Sequence, residues 1–237
     1  MTKRVSVWSG PRNVSTALMY AFRERPDTTV VDEPLYGHYL ERTRAPHPGL
    51  DDVLSQLERG GEHIVQNVLL GPYETDVVMF KNMAHHLPGL DRKFLGKLEN
   101  VLLIRDPAAM LPSLAEQLPE PTLRDTGLAE QVELLEHTLS AGKTPVVIDA
   151  KRLLRDPEGV LRRLCGALGL PFEPAMLAWP AGPKPEDGVW APYWYENVHA
   201  STGFSPYTPK TAPFPEHLRP LLTVCAPLYE RLCRYAL

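Results

Sequence analysis

The chain has 237 residues, a formal net charge of −4 and a hydrophobic content of 43%. This length suits one α/β domain that buries a sizeable core, and a slightly acidic chain is not an obvious partner for nucleic acid. Because no apolar run is long enough to cross a membrane, we expect a cytoplasmic protein without a membrane partner. The three cysteines lack metal-ligand spacing and are typical of buried, reduced thiols.

The first predicted elements are a strand, a turn and a helix within residues 5–25. β-branched residues indicate the strand, Gly10 and Pro11 indicate the turn, and apolar spacing predicts the helix from residue 14 onward. A helix that begins directly after such a loop presents unpaired N–H groups and the positive end of its dipole, which favour a phosphate. We expect the phosphate to be held by Arg12, Asn13, Val14, Ser15 and Thr16.

Further strands follow, and helical segments separate them. They are predicted at residues 28–33, 75–81, 100–105 and 145–149. Strands that alternate with helices predict an α/β fold with three layers (αβα) around a central, mainly parallel, five-stranded sheet. Glu33 and Lys81 are then expected at the carboxyl ends of their strands, where open parallel sheets bind ligands.

The C-terminal part of the chain is expected to cover this sheet. Residues 171–215 are rich in Pro, Trp and Tyr and show little periodicity, which predicts a lid or covering segment. Residues 216–237 predict a closing helix with an apolar inner face. We expect residues 1–237 to form a single domain.

The loop after the first strand is not the common phosphate loop, because the pattern GxxxxGK[ST] is absent. Residues 11–16, PRNVST, instead resemble the PKSGTT-type loop of sulfotransferases, with Arg12 in place of the family lysine and Val14 in place of its glycine. In that family the loop holds the 5′-phosphosulfate end of 3′-phosphoadenosine 5′-phosphosulfate (PAPS). The resemblance implies a P-loop NTPase-like fold, PAPS as sulfuryl donor and 3′,5′-adenosine bisphosphate (PAP) as product.

A second pair of residues extends the resemblance. Arg105 ends a predicted strand and Ser113 lies in the next helix, in the order and spacing of the sulfotransferase motif that holds the 3′-phosphate. Residues 148–158 also resemble a scaffold segment of the family. The family's late Arg-Lys-Gly loop has no match, so Lys184 or a residue in 188–204 is a candidate replacement.

Catalysis of sulfuryl transfer needs in-line geometry, neutralised oxygens and a base, and it requires no metal in principle. We expect Lys81 to neutralise the sulfuryl or bridging oxygen. The base has two candidates. Glu33 stands where some bacterial and Golgi-type sulfotransferases use a glutamate. His85 or His86 resembles a displaced form of the Lys-x-His arrangement of cytosolic sulfotransferases, which is broken here because Met83 stands two residues after Lys81. We favour Glu33 for its position.

The sequence therefore predicts an enzyme, a PAPS-dependent sulfotransferase that acts on a hydroxyl or amine of a small-molecule or carbohydrate acceptor. Two alternatives stay open: a small-molecule kinase on the same fold, which would need Mg²⁺ ligands, and a non-catalytic nucleotide-binding domain. Trp190, Trp194 and Tyr195 are expected either to line the ligand site or to pack the covering segment onto the domain.

Overall fold

The structure is a computed structural model that describes residues 2–209 and 212–237. Within these residues a five-stranded sheet is wholly parallel, with the order β2-β3-β1-β4-β5. Its strands are β1 (Lys3–Ser9), β2 (Thr28–Asp32), β3 (Val77–Met83), β4 (Glu99–Ile104) and β5 (Val146–Asp149). The predicted α/β class with a mainly parallel five-stranded sheet is confirmed.

The strands are apolar on both faces because helices cover both sides of the sheet. On β3, Val77 and Met79 belong to one core, whereas Val78 and Phe80 belong to the other. This alternation follows from the two-residue period of a strand, and burial on both faces is typical of a parallel sheet.

Helices surround the sheet, and two cores separate them from it. The helices are α1 (Ser15–Arg23), α2 (Tyr36–Thr43), α3 (Leu50–Gln56), α4 (Gly61–Ile64), α5 (Pro107–Ala115), α6 (Leu123–Thr126), α7 (Leu128–Ser140), α8 (Ala150–Arg155), α9 (Pro157–Ala167), α10 (Ala191–Trp194), α11 (Glu196–His199) and α12 (Arg219–Cys233). Helices α1 and α9 contribute to one core, and α5, α7 and α12 contribute to the other. Among the described helices, none combines the length and apolar character needed to cross a membrane.

Two helix starts have a shared sequence signature that the structure explains. Asp106 and Asp156 are N-caps whose carboxylates accept from the N–H groups of Ala108 and Gly159, at 2.8 and 2.9 Å. In both cases proline occupies the first helical position, where its missing N–H is not needed.

The predicted end of strand β3 differs from the structure. Strand β3 continues to Met83, so Lys81 does not end it and Asn82 is not in a loop. The reason is pairing with β1, which carries β3 through the partners Trp8–Asn82 and Ser9–Met83. Before β3, the turn of α-helix at Gly61–Ile64 continues as a π-helix at Val65–Leu69.

The covering segment, which we define as residues 171–209, is anchored to α1 by polar contacts. Tyr20 donates to Asp187 at 2.7 Å, and Arg23 donates to Glu186 at 2.8 Å. Trp179 packs edge-on against the Tyr20 ring with the ring centroids 6.0 Å apart. Residues 210 and 211 of the predicted lid, and residue 1, lie outside the described residues.

Candidate active site

A cavity of about 860 Å³ opens at the carboxyl edge of the sheet. Consecutive strands supply its polar residues: the loop after β1, Glu33 after β2, Lys81 on β3 and Arg105 after β4. This is the edge at which parallel α/β sheets bind ligands. The predicted site residues that line the cavity are Arg12, Asn13, Val14, Ser15, Thr16, Glu33, Lys81, His85 and Arg105.

One end of the cavity is basic, because the two arginines of the predicted motifs meet there. A guanidinium N–H of Arg105 donates to the backbone carbonyl of Arg12. The Arg12 Nε in turn donates to the Ser113 hydroxyl at 3.0 Å. Burial lowers the pKa of Arg105, and the charge of Arg12 lowers it further. Two like charges held this close favour a bound anion, which would relieve their repulsion.

The structure places Ser113, the predicted ligand of the 3′-phosphate, next to Arg12. It is buried, and it is not among the described residues that line the cavity. Its hydroxyl accepts the Arg12 bond, so the geometry lets it orient the guanidinium of Arg12.

The loop between β1 and α1 is fixed by its own side chains. Asn13 accepts from the N–H of Val14 and donates to the carbonyl of Leu103, both at 2.9 Å. The Val14 N–H is therefore not available to a phosphate. In the described part of the chain the N-terminus of α1 carries no side-chain cap, so its first N–H groups remain as donors at the cavity. Gly10 packs so closely that a Cβ there would lie 2.5 Å from the Thr126 carbonyl oxygen.

A buried cluster of charges lies around Lys81. Its ammonium donates to Asp32 Oδ1 at 2.9 Å, to the Tyr195 hydroxyl at 2.7 Å and to Glu33 Oε1. These bonds use all of the ammonium's N–H donors. In this arrangement Lys81 neutralises two carboxylates, and its role towards a sulfuryl or bridging oxygen stays a prediction. Lys81 is also deeply buried, with only 2% of its surface exposed.

One lysine shared by two carboxylates sets the electrostatics of this cluster. Burial opposes the charge of Lys81, but Asp32 and Glu33 outweigh burial and raise the pKa of Lys81 well above its ordinary value. The pKa of Glu33 is raised, because burial and the charge of Asp32 outweigh the attraction of Lys81. Lys81 is therefore charged, and Glu33 takes up a proton more readily than an ordinary glutamate.

His86 lies beside this cluster, and His85 packs against His86 with the ring centroids 4.8 Å apart. His86 stacks on Tyr39 with ring centroids 4.7 Å apart, and its Nδ1 lies 3.8 Å from Glu33 Oε2. Burial holds the pKa of His86 well below its ordinary value, and burial lowers that of His85 to about 4. The Nδ1 atoms of both rings find no hydrogen-bond partner among the described residues.

A family model described as a sulfotransferase domain matches residues 3–236. This chain belongs to the sulfotransferase family. Two solved structures show that the fold is the same. The sulfotransferase from Alicyclobacillus acidocaldarius is 16% identical with a TM-score of 0.57, and the match covers 99% of this chain and 95% of that chain. The sulfotransferase domain of the Synechococcus PCC 7002 olefin synthase is 17% identical with a TM-score of 0.52, covering 95% and 96%. The predicted P-loop-like fold is thereby confirmed.

Curated relatives from Arabidopsis thaliana have a different name. Branched-chain-amino-acid aminotransferase-like proteins 1 and 2 are 45% and 41% identical to this chain over 228 and 229 residues. The matches cover 95% and 96% of this chain, but only 40% and 41% of the relatives. The chain therefore spans about two fifths of the length of the relatives that carry that name.

Aromatic rings form part of the cavity wall. Tyr36 contacts Trp190 at 4.9 Å and stacks on His86 at 5.0 Å, and His47 meets Trp194 at 5.8 Å between ring centroids. Trp190 lines the cavity and also packs the covering segment, with only 3% of its surface exposed.

Lys184 is not at the basic end. Its ammonium donates to the carbonyls of Pro180 and Gly182 at 2.6 and 2.7 Å, and it does not line the cavity formed by the described residues. It therefore braces the covering segment. Within the range 188–204, Asn197 and Ser201 line the cavity and are the polar residues that the sequence left unnamed.

Sequence reasoning missed two members of the charged cluster, Asp32 and the hydroxyl of Tyr195. Asp32 had a signal, since it directly precedes Glu33 at a strand end. The hydrogen bond between Lys81 and Tyr195 joins residues 114 positions apart, and no local sequence pattern predicts it.

Proposed function

We propose that this sulfotransferase takes its sulfuryl group from PAPS and transfers it to a hydroxyl or amine of a small-molecule acceptor. The observation that carries the proposal is that one cavity holds both arginines of the nucleotide motifs at one end and a buried glutamate with a raised pKa. A donor and an acceptor brought together in this cavity would react within a single complex.

The basic end supports the assignment of PAPS. Arg12 and Arg105 converge there beside the uncapped start of α1, and arginine forks pair with phosphate oxygens through charge-assisted hydrogen bonds. PAPS supplies an activated sulfuryl group on a phosphate leaving group. Arg12 and the first N–H groups of α1 would stabilise the charge that develops on that phosphate. Arg105, oriented across the loop, would hold a second phosphate.

Glu33 is the base that the geometry favours. Its Oε1 accepts from Lys81, whereas its Oε2 accepts no hydrogen bond from the residues that the structure describes. Its raised pKa makes it a better proton acceptor than His85, whose pKa is about 4. Glu33 Oε2 would take the proton of the acceptor hydroxyl as the new O–S bond forms and the bond from sulfur to the departing phosphate breaks.

The aromatic wall supports an acceptor with an apolar body. Rings of Tyr36, Tyr39 and Trp194 line the cavity together with His47. Flat apolar groups gain from packing on such rings, and a polar group carried at one end would be directed towards Glu33.

The first test is thermal unfolding with PAP, with ATP and Mg²⁺, and with AMP. We expect PAP without metal to raise the Tm most, because a ligand at about 100 times its Kd adds about 2.7 kcal/mol of stability. A larger shift from ATP that depends on Mg²⁺ would support a small-molecule kinase instead.

The second test is turnover of radiolabelled PAPS against a panel of phenols, aliphatic alcohols, amines and sugars. Glu33→Gln keeps the shape of the side chain but removes its basicity, so it should retain the PAP-induced Tm shift and lose about 10²- to 10⁴-fold in kcat. The PAP shift with no turnover on any acceptor would indicate a nucleotide-binding domain without catalysis. Normal turnover by Glu33→Gln would move the role of base to His85.

A further inference from the structure

Tyr195 reaches the charged cluster from the covering segment. Its hydroxyl accepts from Lys81 Nζ at 2.7 Å, donates to Asp32 Oδ2 at 2.7 Å and accepts from Trp190 Nε1 at 3.2 Å. Only 5% of the residue is exposed. A tyrosine hydroxyl that is buried and fully bonded among charged groups is costly to remove, so its position is tightly determined.

We propose that Tyr195 is a positioning residue for sulfuryl transfer: its hydroxyl holds Asp32 against Lys81, and this leaves one oxygen of Glu33 free for the acceptor's proton. The proposal rests on the proposed function, in which Glu33 is the base. Tyr195 itself need not touch the reacting atoms.

The two carboxylates of the cluster accept different numbers of hydrogen bonds. Asp32 accepts from Lys81 at 2.9 Å, from Tyr195 at 2.7 Å and from the backbone N–H of Gly188 at 3.1 Å. Glu33 accepts from Lys81 alone among the described residues. Asp32 is therefore the more fully bonded of the two carboxylates, whereas Glu33 keeps one oxygen without a donor among the described residues.

The covering segment is therefore part of the charge balance at Glu33. The groups that face the cluster around Glu33 come from several elements, and they are Asp32 of β2, Tyr36 of α2, Lys81 of β3, His86 of the turn after β3, and Tyr195. If the Tyr195 hydroxyl is removed, Asp32 loses a donor and draws Lys81 more strongly. Glu33 then keeps less of the ammonium's attraction and becomes harder to ionise.

Tyr195→Phe tests this role because it removes only the hydroxyl. We expect kcat to fall about tenfold or more while KM for PAPS changes by less than about twofold. The acid limb of the kcat profile should move to higher pH, which a purely structural role would not cause. Tyr235→Phe is the matched control, since it removes the hydroxyl of a tyrosine that is 38% exposed.

Asp32→Asn gives a second test with the opposite direction. It removes the negative neighbour that helps to raise the pKa of Glu33, so the acid limb should move to lower pH. If Tyr195 acts through Asp32, adding Tyr195→Phe to Asp32→Asn should change kcat by less than about twofold. A full additional loss in that background would overturn the proposal.

A readout that needs no turnover separates this inference from the proposed function. Carbon-13 labelling of glutamate carboxyls, with Glu33→Gln identifying the resonance, follows the titration of Glu33 directly. We expect Tyr195→Phe to shift that titration to higher pH and Tyr235→Phe to leave it unchanged. These shifts in a protein that never transfers sulfate would refute the proposed function and keep the role of Tyr195 in the charge balance. An unchanged titration in Tyr195→Phe would refute the positioning role even in an active enzyme.

Discussion

Arg105→Ala should weaken the binding of PAP about 30-fold. Arg105 lines the basic end of the cavity and reaches across the loop to the carbonyl of Arg12. The substitution therefore removes a cation that faces the ligand and a brace that holds the loop. We expect the loss to appear in PAP affinity far more than in the stability of the free protein.

The magnitude follows from the contacts of the guanidinium. One of its N–H groups is used by the Arg12 carbonyl, so the remaining donors are available to a phosphate. A hydrogen bond to a charged group contributes about 1.5–3 kcal/mol, which is about 10- to 150-fold in Kd. In the wild-type protein a bound phosphate also relieves the repulsion between Arg12 and Arg105, and the Arg105→Ala variant loses this gain. The expected increase in Kd therefore lies above the lower limit, near the middle of this range.

The assay is isothermal titration with PAP at low and moderate salt, together with urea unfolding of each variant. Arg162→Ala is the matched control, because Arg162 is a helix-surface arginine whose side chain is 56% exposed and paired with Glu158. Arg105→Lys should recover part of the affinity, since it keeps the charge but loses the fork. Binding of PAP to a folded Arg105→Ala variant with unchanged Kd would refute the reasoning that this end of the cavity holds the nucleotide.

Three further predictions follow from the same site. The acid limb of the kcat profile should lie at higher pH than for an ordinary glutamate, because burial raises the pKa of Glu33. Activity is lost as the pH falls through that pKa. A limb at or below pH 4.5 would contradict this prediction. Arg12→Gly should raise the free energy of unfolding by about 1 kcal/mol, since it relieves a left-handed backbone with φ of 51°. The same substitution should lower the affinity for PAP. Urea unfolding measures the first effect, and titration calorimetry measures the second. Lys81→Met should lower the free energy of unfolding, measured by urea titration, by about 3–5 kcal/mol, because it leaves Asp32 and Glu33 buried without a cation. A loss below about 1 kcal/mol would contradict the view that Lys81 neutralises these carboxylates.

The parts of the fold that local patterns determine could be predicted from the sequence. The strand–turn–helix at the start of the chain and the Asp-Pro starts of α5 and α9 depend on residues close in sequence. The convergence of Arg12 and Arg105 also followed from local information, because both come after strands that end at the same edge of a parallel sheet.

The parts that depend on long-range contacts could not be predicted. Strand β3 is longer than its apolar run because β1 pairs with it beyond Phe80. The sequence of a strand does not specify which other strand pairs with it. Lys81 looked like a free cation at a strand end, but its partners include Tyr195 from the far end of the chain. Ser113 matched a ligand motif by spacing, yet its hydroxyl supports Arg12. In each case the residue type indicated a functional position, but the sequence did not identify the partner of that residue.

The backbone gives an independent reason to regard this cavity as functional. Within residues 2–209 and 212–237, three non-glycine residues have positive φ, and two of them, Arg12 and Glu33, line the cavity. Such conformations cost about 1–3 kcal/mol each and persist only where surrounding contacts hold them. At Arg12 the contact is the donation from Arg105 to its carbonyl, and at Glu33 it is the backbone N–H bonded to the Lys81 carbonyl at 2.8 Å. The strained residues are thus held by the neighbouring members of the proposed nucleotide and base sites. Relaxation at either position would turn its side chain out of the arrangement that transfer requires, so the strain and the proposed chemistry depend on the same bonds.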